Sequence, residues 1–375
     1  CSYCLSSIDK CLRFREIELV KKELQFFIDK KVPQVKFVDR TFNCRHDHAM
    51  AIWTYIHEHD NGITNFHFEV SADLLNEKEI ALINRMRPGL IQLEIGVQSA
   101  NEITIREINR TMKIDVLSTI VDKIKKGNNV HQHLDLIAGL PYEDYESFGK
   151  SFDDVYALEP EQLQLGFLKV LKGSVMHDRA QEYGIVYQDR APYEVLSTKW
   201  LTYAEVIRLK QIEEMVEVYY NSGQFCCTMA ALEQEFASPF CMYECLAAYY
   251  DEKNAFAVSH SRIGRYEILY DFIVKTCKER SEQYMEMLTL DMYLRDNVKK
   301  RPEFLRESGV SSDEAAAFYK KEEKERTYLK AYEGYDRRQM RKMTHLERID
   351  GKTVLFDYKN RDPLTGNAAI YYLSE

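Results

Sequence analysis

The sequence predicts a mixed α/β fold: a partial (βα)6 barrel of the TIM type, followed by a mostly α-helical domain that ends in a small β-hairpin. Two observations support this prediction. Apolar runs of strand length alternate with amphipathic helical segments from residue 15 to about residue 164, and repeated βα units form a parallel sheet with right-handed crossovers. Beyond Lys172 the alternation stops, and the chain becomes rich in Tyr, Leu, Met and Glu.

The barrel half divides into helices and strands in a regular order. The first helix carries Ile17, Val20, Leu24 and Ile28 on one face at the helical period. Strands are predicted at residues 34–39, 65–70, 90–97, 130–137 and 162–170. The other helices are predicted at about residues 47–59, 76–86, 101–108, 115–126 and 145–157. Their number and even spacing favour a barrel, whose first strand we expect to precede Cys1 and to lie outside this sequence.

The second half predicts a different architecture. Residues 193–295 favour helices without strand alternation, and residues 296–342 are so highly charged that we expect exposed helices. Strand-like runs at 345–349 and 352–357 flank Asp350-Gly351, a dipeptide typical of hairpin turns, and 368–373 would add a third strand. We therefore predict three domains: an N-terminally truncated barrel (1–172), a helical domain that covers the substrate opening (173–342), and a hairpin tail (343–375).

Composition narrows the class of protein. The net charge of −9 and the pI of about 5.7 give the whole chain no attraction to nucleic acid or to an anionic membrane. The sequence has no apolar run long enough for a spanning helix and no signal-peptide pattern. Nine cysteines are too sparse for a disulfide scaffold. We expect a cytoplasmic protein with neither membrane nor nucleic-acid partners, and, because it opens on Cys1 rather than Met, a fragment.

The first four residues, Cys1-Ser2-Tyr3-Cys4, are the strongest chemical signal. Two thiolates of one tight loop can reach the same metal centre. Taken alone, this spacing also fits half of a zinc site, a redox pair, or two ordinary thiols.

The string CSYC, followed by an amphipathic helix and βα repeats, resembles the last two cysteines of the CxxxCxxC loop of radical S-adenosylmethionine (SAM) enzymes. In that family three cysteines hold three irons of a 4Fe-4S cluster, and the fourth iron binds the amino and carboxylate groups of SAM. The resemblance implies that Cys1 and Cys4 are the second and third cluster ligands and that Tyr3 contacts adenine. The first ligand would lie four residues before Cys1.

The end of the strand predicted at residues 34–39 extends the resemblance. Residues 38–42, VDRTF, look like the family segment, often Gly-Gly-Glu, that binds the SAM amino group through backbone carbonyls. This implies cofactor contacts at Asp39, Arg40 and Thr41. Because the family glycines are absent here, the resemblance does not assign roles to the side chains of Asp39, Arg40 and Thr41.

Four further positions resemble the coproporphyrinogen-oxidase-like branch of the family. Glu69 ends the strand FHFEV and matches an acid near SAM, while Gln98 ends LEIGVQ and matches a glutamine that contacts ribose. Arg110 matches an arginine in a post-strand helix that reaches the SAM carboxylate, and Asp135 in LDLIAGLP matches a ribose-facing acid. Each residue alone has an ordinary explanation, such as a surface charge, a helix cap or an ion pair. Their shared order and strand position carry the prediction.

The resemblance implies an enzyme that reductively cleaves SAM at the cluster to a 5′-deoxyadenosyl radical, which abstracts hydrogen from an unknown small-molecule or peptide substrate. We nominate no side chain as a catalytic acid or base. The implied electron donor is of the flavodoxin or ferredoxin type.

The segment PYEVLSTKWLTYAEVIRLKQIEEMVEVYYNSG resembles a domain of unknown function that follows the barrel in certain bacterial radical SAM proteins. Relatives of that kind usually carry a cobalamin-binding domain before the barrel. The resemblance therefore implies cobalamin as a further cofactor, held by an upstream domain outside this sequence, and slightly favours methyl transfer.

Other interpretations remain open at the level of sequence. They are a coproporphyrinogen-oxidase-like enzyme acting on a tetrapyrrole, a barrel that holds SAM or haem without turnover, and an ordinary TIM-barrel enzyme with a terminal zinc or redox CxxC. Two further groups contain metal-ligand residue types, although buried or surface positions explain them more often. They are the cysteine group Cys226, Cys227, Cys241 and Cys245, and the group Cys44, His46 and His48.

Overall fold

The computed structural model describes residues 1–4, 11–298 and 300–373. A five-stranded parallel sheet forms the first part of the chain, and its strands lie side by side in sequence order. They are β1 (Gln34–Lys36), β2 (Asn65–Val70), β3 (Ile91–Gln98), β4 (His131–Ala138) and β5 (Gln162–Phe167). Sequential parallel strands joined by helices make the wall of a βα barrel. The predicted fold class, a partial TIM-like barrel, is therefore confirmed.

Helices connect the strands as predicted, with ends that differ by a few residues. They are α1 (Ile17–Asp29), α2 (His46–Glu58), α3 (Glu77–Ile83), α4 (Glu102–Glu107), α5 (Ile114–Lys125) and α6 (Tyr145–Tyr156). Asn76 begins α3 with a capping box, in which its side chain and that of Glu79 satisfy each other's backbone N–H groups. The first turn of α3 therefore begins one residue later than the predicted 76–86 segment.

The two faces of the sheet differ in chemistry. Successive side chains of a strand point to opposite faces, and one face is apolar and buried. It carries Phe66, Phe68, Val70, Ile91, Leu93, Ile95, Leu134, Leu136, Leu163 and Leu165. The other face is polar, and it carries Lys36, His67, Glu69, Gln92, Glu94, His131, His133, Asp135, Gln162 and Gln164. The helices cover the apolar face, so the polar face is the inner face of the partial barrel.

Two predicted strands are too long. The strand predicted at 34–39 ends at Lys36, and after the bond from Phe37 N to His67 O the backbone turns into the loop that holds Arg40. The strand predicted at 162–170 ends at Phe167. Beyond it, Val170 N donates to Tyr193 O, so this segment leaves the parallel sheet to pair with a later one.

A short connection follows the sheet. It contains α7 (Val175–Asp178), the antiparallel pair β6 (Val186–Tyr187) and β7 (Val195–Ser197), and α8 (Tyr203–Val216). The expectation that residues 193–295 contain no strand is therefore wrong for β7. A strand of three residues is too short for an alternating pattern to reveal it.

The chain forms two compact units. One consists of Cys1–Glu217 with Ser238–Glu244, and the other of Val218–Ala237 with Cys245–Glu375. The predicted three-domain division at residues 172 and 342 stays a prediction. No helix among the described residues is long and apolar enough to cross a membrane.

The second unit is helical and ends in a small sheet. The helices of the remaining chain are α9 (Cys226–Leu232), α10 (Pro239–Glu252, shared between the units), α11 (Arg262–Thr276), α12 (Ser281–Arg295), α13 (Ser312–Glu325) and α14 (Arg337–Met343). Antiparallel strands follow as β8 (Thr344–Ile349), β9 (Lys352–Arg361) and β10 (Ala368–Tyr372). The predicted hairpin and its third strand are confirmed. In the described part of the charged 296–342 segment, the helices are α13, α14 and a 3-10 turn at Lys330–Tyr332, and Lys299 lies outside the described residues.

Candidate functional site

The cysteine loop is a tight turn fixed to the barrel by its backbone. Cys4 N donates to Cys1 O over 3.3 Å, which closes the turn. Between them, Ser2 N donates to Ile108 O over 2.8 Å, and Ser2 O accepts from Met176 N over 3.0 Å. The loop is therefore held at the end of α4 and the start of α7, at the edge of the sheet where the strands end.

Tyr3 orients the loop by packing into a hydrophobic cluster. The cluster includes Ile105, Ile108, Leu140 and Met176, all of them buried. Burial raises the pKa of Tyr3 to about 12, so its hydroxyl stays neutral.

A cavity of about 530 Å³ opens beside the cysteine loop. It is lined by Cys1, Tyr3, Cys4, Lys36, Val38, Arg40, Thr41, Glu69, Val70, Ser71, Glu94, Gly96, Gln98, Arg110 and Asp135. Every predicted site residue except Asp39 lies on this wall. Asp39 instead lines a neighbouring cavity of about 780 Å³, which Arg40 and Thr41 also reach. The structure thus brings the predicted set together, and the roles of its members in binding stay predictions.

Each cysteine of the loop faces a guanidinium group. Arg40 Nη1 lies 2.7 Å from Cys4 Sγ, and Arg110 Nη1 lies 3.5 Å from Cys1 Sγ. A nearby cation favours the thiolate over the thiol, and the thiolate is the form that ligates metals. The loop therefore carries its cysteines in an environment suited to an iron–sulfur cluster.

Arg110 lies outside the helices, as the predicted segments 101–108 and 115–126 leave it, whereas the family arginine that it resembles belongs to a helix. It follows the end of α4, where Asn109 adopts a left-handed conformation with φ of 60°. Asn109 N donates to Arg106 O and Arg110 N to Ile105 O, which is the bonding pattern of a Schellman motif. The helix end thus sets the position of Arg110, whose guanidinium also donates to Gly96 O.

Gln98 reaches the cavity through an irregular strand end. Its φ is 79°, and the pairing between β3 and β4 shifts between Gly96 and Gln98. A Cβ atom on Gly96 would lie 2.1 Å from Gln98 Nε2. Glycine at this position therefore leaves the space in which the Gln98 amide lies.

The acids of the cavity divide into two classes. Burial raises the pKa of Glu69 and that of Asp135, and the charge of Glu94 adds to both effects. A hydrogen bond from His67 lowers the pKa of Glu94 to about 2, assisted by Lys36, although burial opposes the shift. Glu94 is thus the fixed negative charge of the cavity wall.

The sequence reasoning missed several residues of the wall, notably Lys36, Glu94 and Gly96. A signal for them was present. In the strand Gln92-Leu93-Glu94-Ile95-Gly96 the apolar residues alternate with polar or small ones. Such alternation indicates that one face of the strand is not packed in an apolar core.

The cavity wall has polar atoms suited to a zwitterionic nucleoside. Gln98 Oε1 and Arg110 Nε are buried and make no hydrogen bond within the part of the chain that the structure describes. Gln98 Oε1 can accept a hydrogen bond and Arg110 Nε can donate one, and both residues line the cavity. SAM carries amino, hydroxyl and carboxylate groups, so the residues present fit it, and the two thiols fit part of a cluster ligand set.

The other metal-type residues named from the sequence do not form such a group. His46 Nδ1 lies 3.0 Å from Glu79 Oε1 on a half-exposed surface, and His48 packs edge-on against Phe14. Cys227 lies in the first turn of α9, and its N–H donates to Asp291 Oδ1, which caps that helix. Within the described ranges, neither these residues nor Cys241 and Cys245 gather three metal-type ligands.

Comparison with known proteins gives two family matches. Residues 1–155 match the radical SAM superfamily, and residues 181–363 match a family described as a protein of unknown function (DUF4080). Oxygen-independent coproporphyrinogen III oxidase of Salmonella typhimurium (strain LT2) is 28% identical over 107 residues, which cover 27% of this chain and 23% of that protein.

Two solved structures are similar at low identity. The radical SAM methyltransferase TsrM from Kitasatospora setae, with cobalamin and a [4Fe-4S] cluster bound, has a TM-score of 0.40 at 14% identity, over 46% of this chain and 33% of that chain. The cobalamin-dependent SAM radical enzyme OxsB has a TM-score of 0.43 at 11% identity, over 78% of this chain and 52% of that chain. Each match covers less than two thirds of the relative.

The predicted resemblance is confirmed by the family match. The matched range contains the cysteine loop and all the predicted site residues. A domain of this kind implies a 4Fe-4S cluster and SAM as cofactors. Residues 1–155 are therefore similar to the radical SAM superfamily, as the cysteine loop predicted.

Proposed function

We propose that the protein binds a 4Fe-4S cluster through Cys1 and Cys4 and binds SAM in the adjoining cavity. One observation carries the proposal: the two thiols and the side chains predicted to contact SAM line a single cavity beside the strand ends. When bound, the cluster and SAM supply a reductive cleavage to a 5′-deoxyadenosyl radical, which takes hydrogen from the substrate.

The side chains of the cavity bind and orient SAM. Arg110 has an unpaired Nε and presents a planar set of donors, which suits a carboxylate. Gln98 Oε1 and Asp135 accept hydrogen bonds from hydroxyl or amino groups, and Glu69 does so at the next strand. No side chain of this set has to move a proton, so we propose none as an acid or base.

The proposal is tested by anaerobic reconstitution of the full-length protein with iron and sulfide, followed by dithionite and SAM. We expect 5′-deoxyadenosine to form and to disappear in Cys1→Ala and Cys4→Ala, because each change removes a cluster ligand. Cys277→Ala is the matched control, since this half-buried cysteine belongs to the other compact unit.

Two outcomes would count against the assignment. A protein that loads a cluster and binds SAM without forming 5′-deoxyadenosine would be a binding protein rather than an enzyme. A protein that takes up zinc at Cys1 and Cys4 and does not bind SAM would be an unrelated enzyme with a terminal metal or redox pair.

We further propose methyl transfer with cobalamin as the reaction, on a small molecule or peptide, in a cytoplasmic protein. The support is the segment Pro192–Gly223, which resembles a region found beside cobalamin-binding domains and falls in the range that matches DUF4080. Cobalamin in the purified full-length protein, with S-adenosylhomocysteine formed during turnover, would support it. An electron donor of the flavodoxin or ferredoxin type should replace dithionite.

A tetrapyrrole substrate is the second candidate, because a coproporphyrinogen III oxidase is 28% identical over 107 residues. Decarboxylation of coproporphyrinogen III by the reconstituted protein, without methylated product, would favour it over methyl transfer.

A further inference from the structure

A second group of ligand-type side chains lies on the inner face of the sheet. It consists of His67 on β2, Glu94 on β3 and His133 on β4, with one ligand atom of each within 4.8 Å of the others. Glu94 pairs with His133 across the strands and with Glu69 on its other side. His67 lies two residues before Glu69, so all three side chains point to the same face.

Both histidines of the group are buried beside carboxylates. His67 is 8% exposed and His133 is 5% exposed. His67 Nε2 lies 2.9 Å from Glu94 Oε2, whereas His133 Nδ1 makes no hydrogen bond among the described residues. Buried polar atoms are nearly always satisfied in proteins, so a buried Nδ1 without a hydrogen bond in this group indicates a missing ligand.

We propose that His67, Glu94 and His133 bind one divalent transition-metal ion, zinc or ferrous iron. Two imidazoles and one carboxylate form a ligand set typical of both ions. Bonds of about 2.0–2.2 Å place ligand atoms roughly 3.4 Å apart in a tetrahedral site. Separations of up to 4.8 Å therefore have to contract by as much as about 1.4 Å. Glu94 also lines the cavity of about 530 Å³, so an ion bound to this carboxylate adjoins that cavity.

Asp135 acts as the outer partner of this site. Its Oδ1 lies 3.0 Å from His133 Nε2. A histidine that ligates a metal usually donates its other ring N–H to a carboxylate, which fixes its tautomer and ring orientation. His133 thus binds the ion through Nδ1 and donates from Nε2 to Asp135.

Lys36 competes with the ion for the carboxylate of Glu94. Its Nζ lies 3.0 Å from Glu94 Oε2 and 3.8 Å from Glu69 Oε1, so an ammonium group neutralises Glu94 in this structure. The side chain of Lys36 is 48% exposed, and it has room to turn away. An ion at Glu94 displaces it, and the change Lys36→Met removes the competition and strengthens metal binding.

The proposed site is separate from the cysteine loop. Glu94 lies four residues before Gln98, the last residue of β3, which is a displacement of roughly 13 Å along the strand. Its ligands are nitrogen and oxygen rather than sulfur. An ion bound there is therefore distinguishable from cluster iron by its spectrum.

Cobalt(II) titration of the full-length protein tests this site. The Cys1→Ser/Cys4→Ser double variant is used so that the cluster ligands cannot take up the probe. We expect one cobalt per chain, with visible d–d bands and without thiolate-to-cobalt charge-transfer bands. His67→Ala and Glu94→Gln should each weaken binding at least tenfold.

His131→Ala is the matched control. His131 lies on the same strand and face, two residues before His133, but outside the group of three. Its variant should bind cobalt as the parent does. Absence of cobalt uptake by folded protein, or uptake unchanged in both His67→Ala and His133→Ala, would overturn the proposal. If those variants do not fold, failure of Lys36→Met to tighten binding would overturn it equally.

Discussion

At the scale of single residues, Glu143 connects two loops beside the cavity. It is fully buried, and its Oε1 accepts hydrogen bonds from Ser99 Oγ over 2.5 Å and from Ser151 Oγ over 2.8 Å. Burial raises the pKa of Glu143 to about 7, although both hydroxyls oppose the shift. Ser99 directly follows Gln98, so this carboxyl supports the strand end that reaches the proposed SAM site.

The change Glu143→Gln should alter the pH dependence of stability. Between the ordinary pKa of 4.5 and the folded pKa of about 7, the unfolded chain loses a proton that the folded chain keeps. The free energy of unfolding therefore falls as pH rises through this window, by roughly 3 kcal/mol at most. Urea unfolding at pH 5 and pH 8 should show this fall in the parent and not in Glu143→Gln.

The exposed Glu146 serves as the control for that measurement. Glu146→Gln should keep the parental dependence on pH. If the free energy of unfolding depends on pH equally in Glu143→Gln and in the parent, the pKa of the buried carboxyl is the same in the folded and unfolded chain.

At the scale of elements, the end of α4 sets the geometry of the site. Asn109 holds the left-handed position of the Schellman motif, and Arg110 follows it directly. Asn109→Gly should preserve stability and SAM affinity, because glycine accepts this conformation without strain. Asn109→Val should lower the free energy of unfolding by about 1–2 kcal/mol and weaken SAM binding, because it strains the turn that places Arg110.

Thermal unfolding and calorimetric titration with SAM check this pair. A valine variant that binds SAM as tightly as the glycine variant would show that the helix end does not determine the position of Arg110.

The strands show which parts of the site could be predicted from sequence. Cys1, Tyr3 and Gln98 lie within recognisable strings, so their common location followed from the order of the βα units. Lys36 and Glu94 belong to no such string, and only the contact across β1, β2 and β3 joins them. The helix end at residue 108 was predicted, but the Schellman turn at Asn109 was not, because Asn is only sometimes the residue at this position.

At the scale of the whole molecule, the barrel unit depends on a segment that is distant in sequence. Phe240 is 8% exposed, and its ring lies 5.5 Å from that of Tyr145 and 5.6 Å from that of Phe152. Phe240 N also donates to Asp153 Oδ1 over 2.7 Å. The predicted barrel of 1–172 could not include this segment, since helical periodicity does not reveal which distant surface a helix covers.

Phe240→Ala should therefore destabilise the barrel unit by about 3–5 kcal/mol, the usual loss for a buried aromatic ring. Phe26→Ala is the control, because Phe26 is 57% exposed on α1 and its loss should cost far less. Urea unfolding followed by tryptophan fluorescence measures both, because Trp53 and Trp200 belong to the barrel unit. Equal small losses would contradict the role of Phe240 in this unit.

The order in which the chain passes between the two units also affects how the barrel unit folds during synthesis. The chain leaves the barrel unit after Glu217 and returns at Ser238 for the segment that ends at Glu244. A ribosome releases residues in order, and domains generally fold as units while synthesis proceeds. The face of α6 that receives Phe240 stays uncovered until that segment emerges, so the nascent barrel exposes an aromatic surface on which chaperones can act.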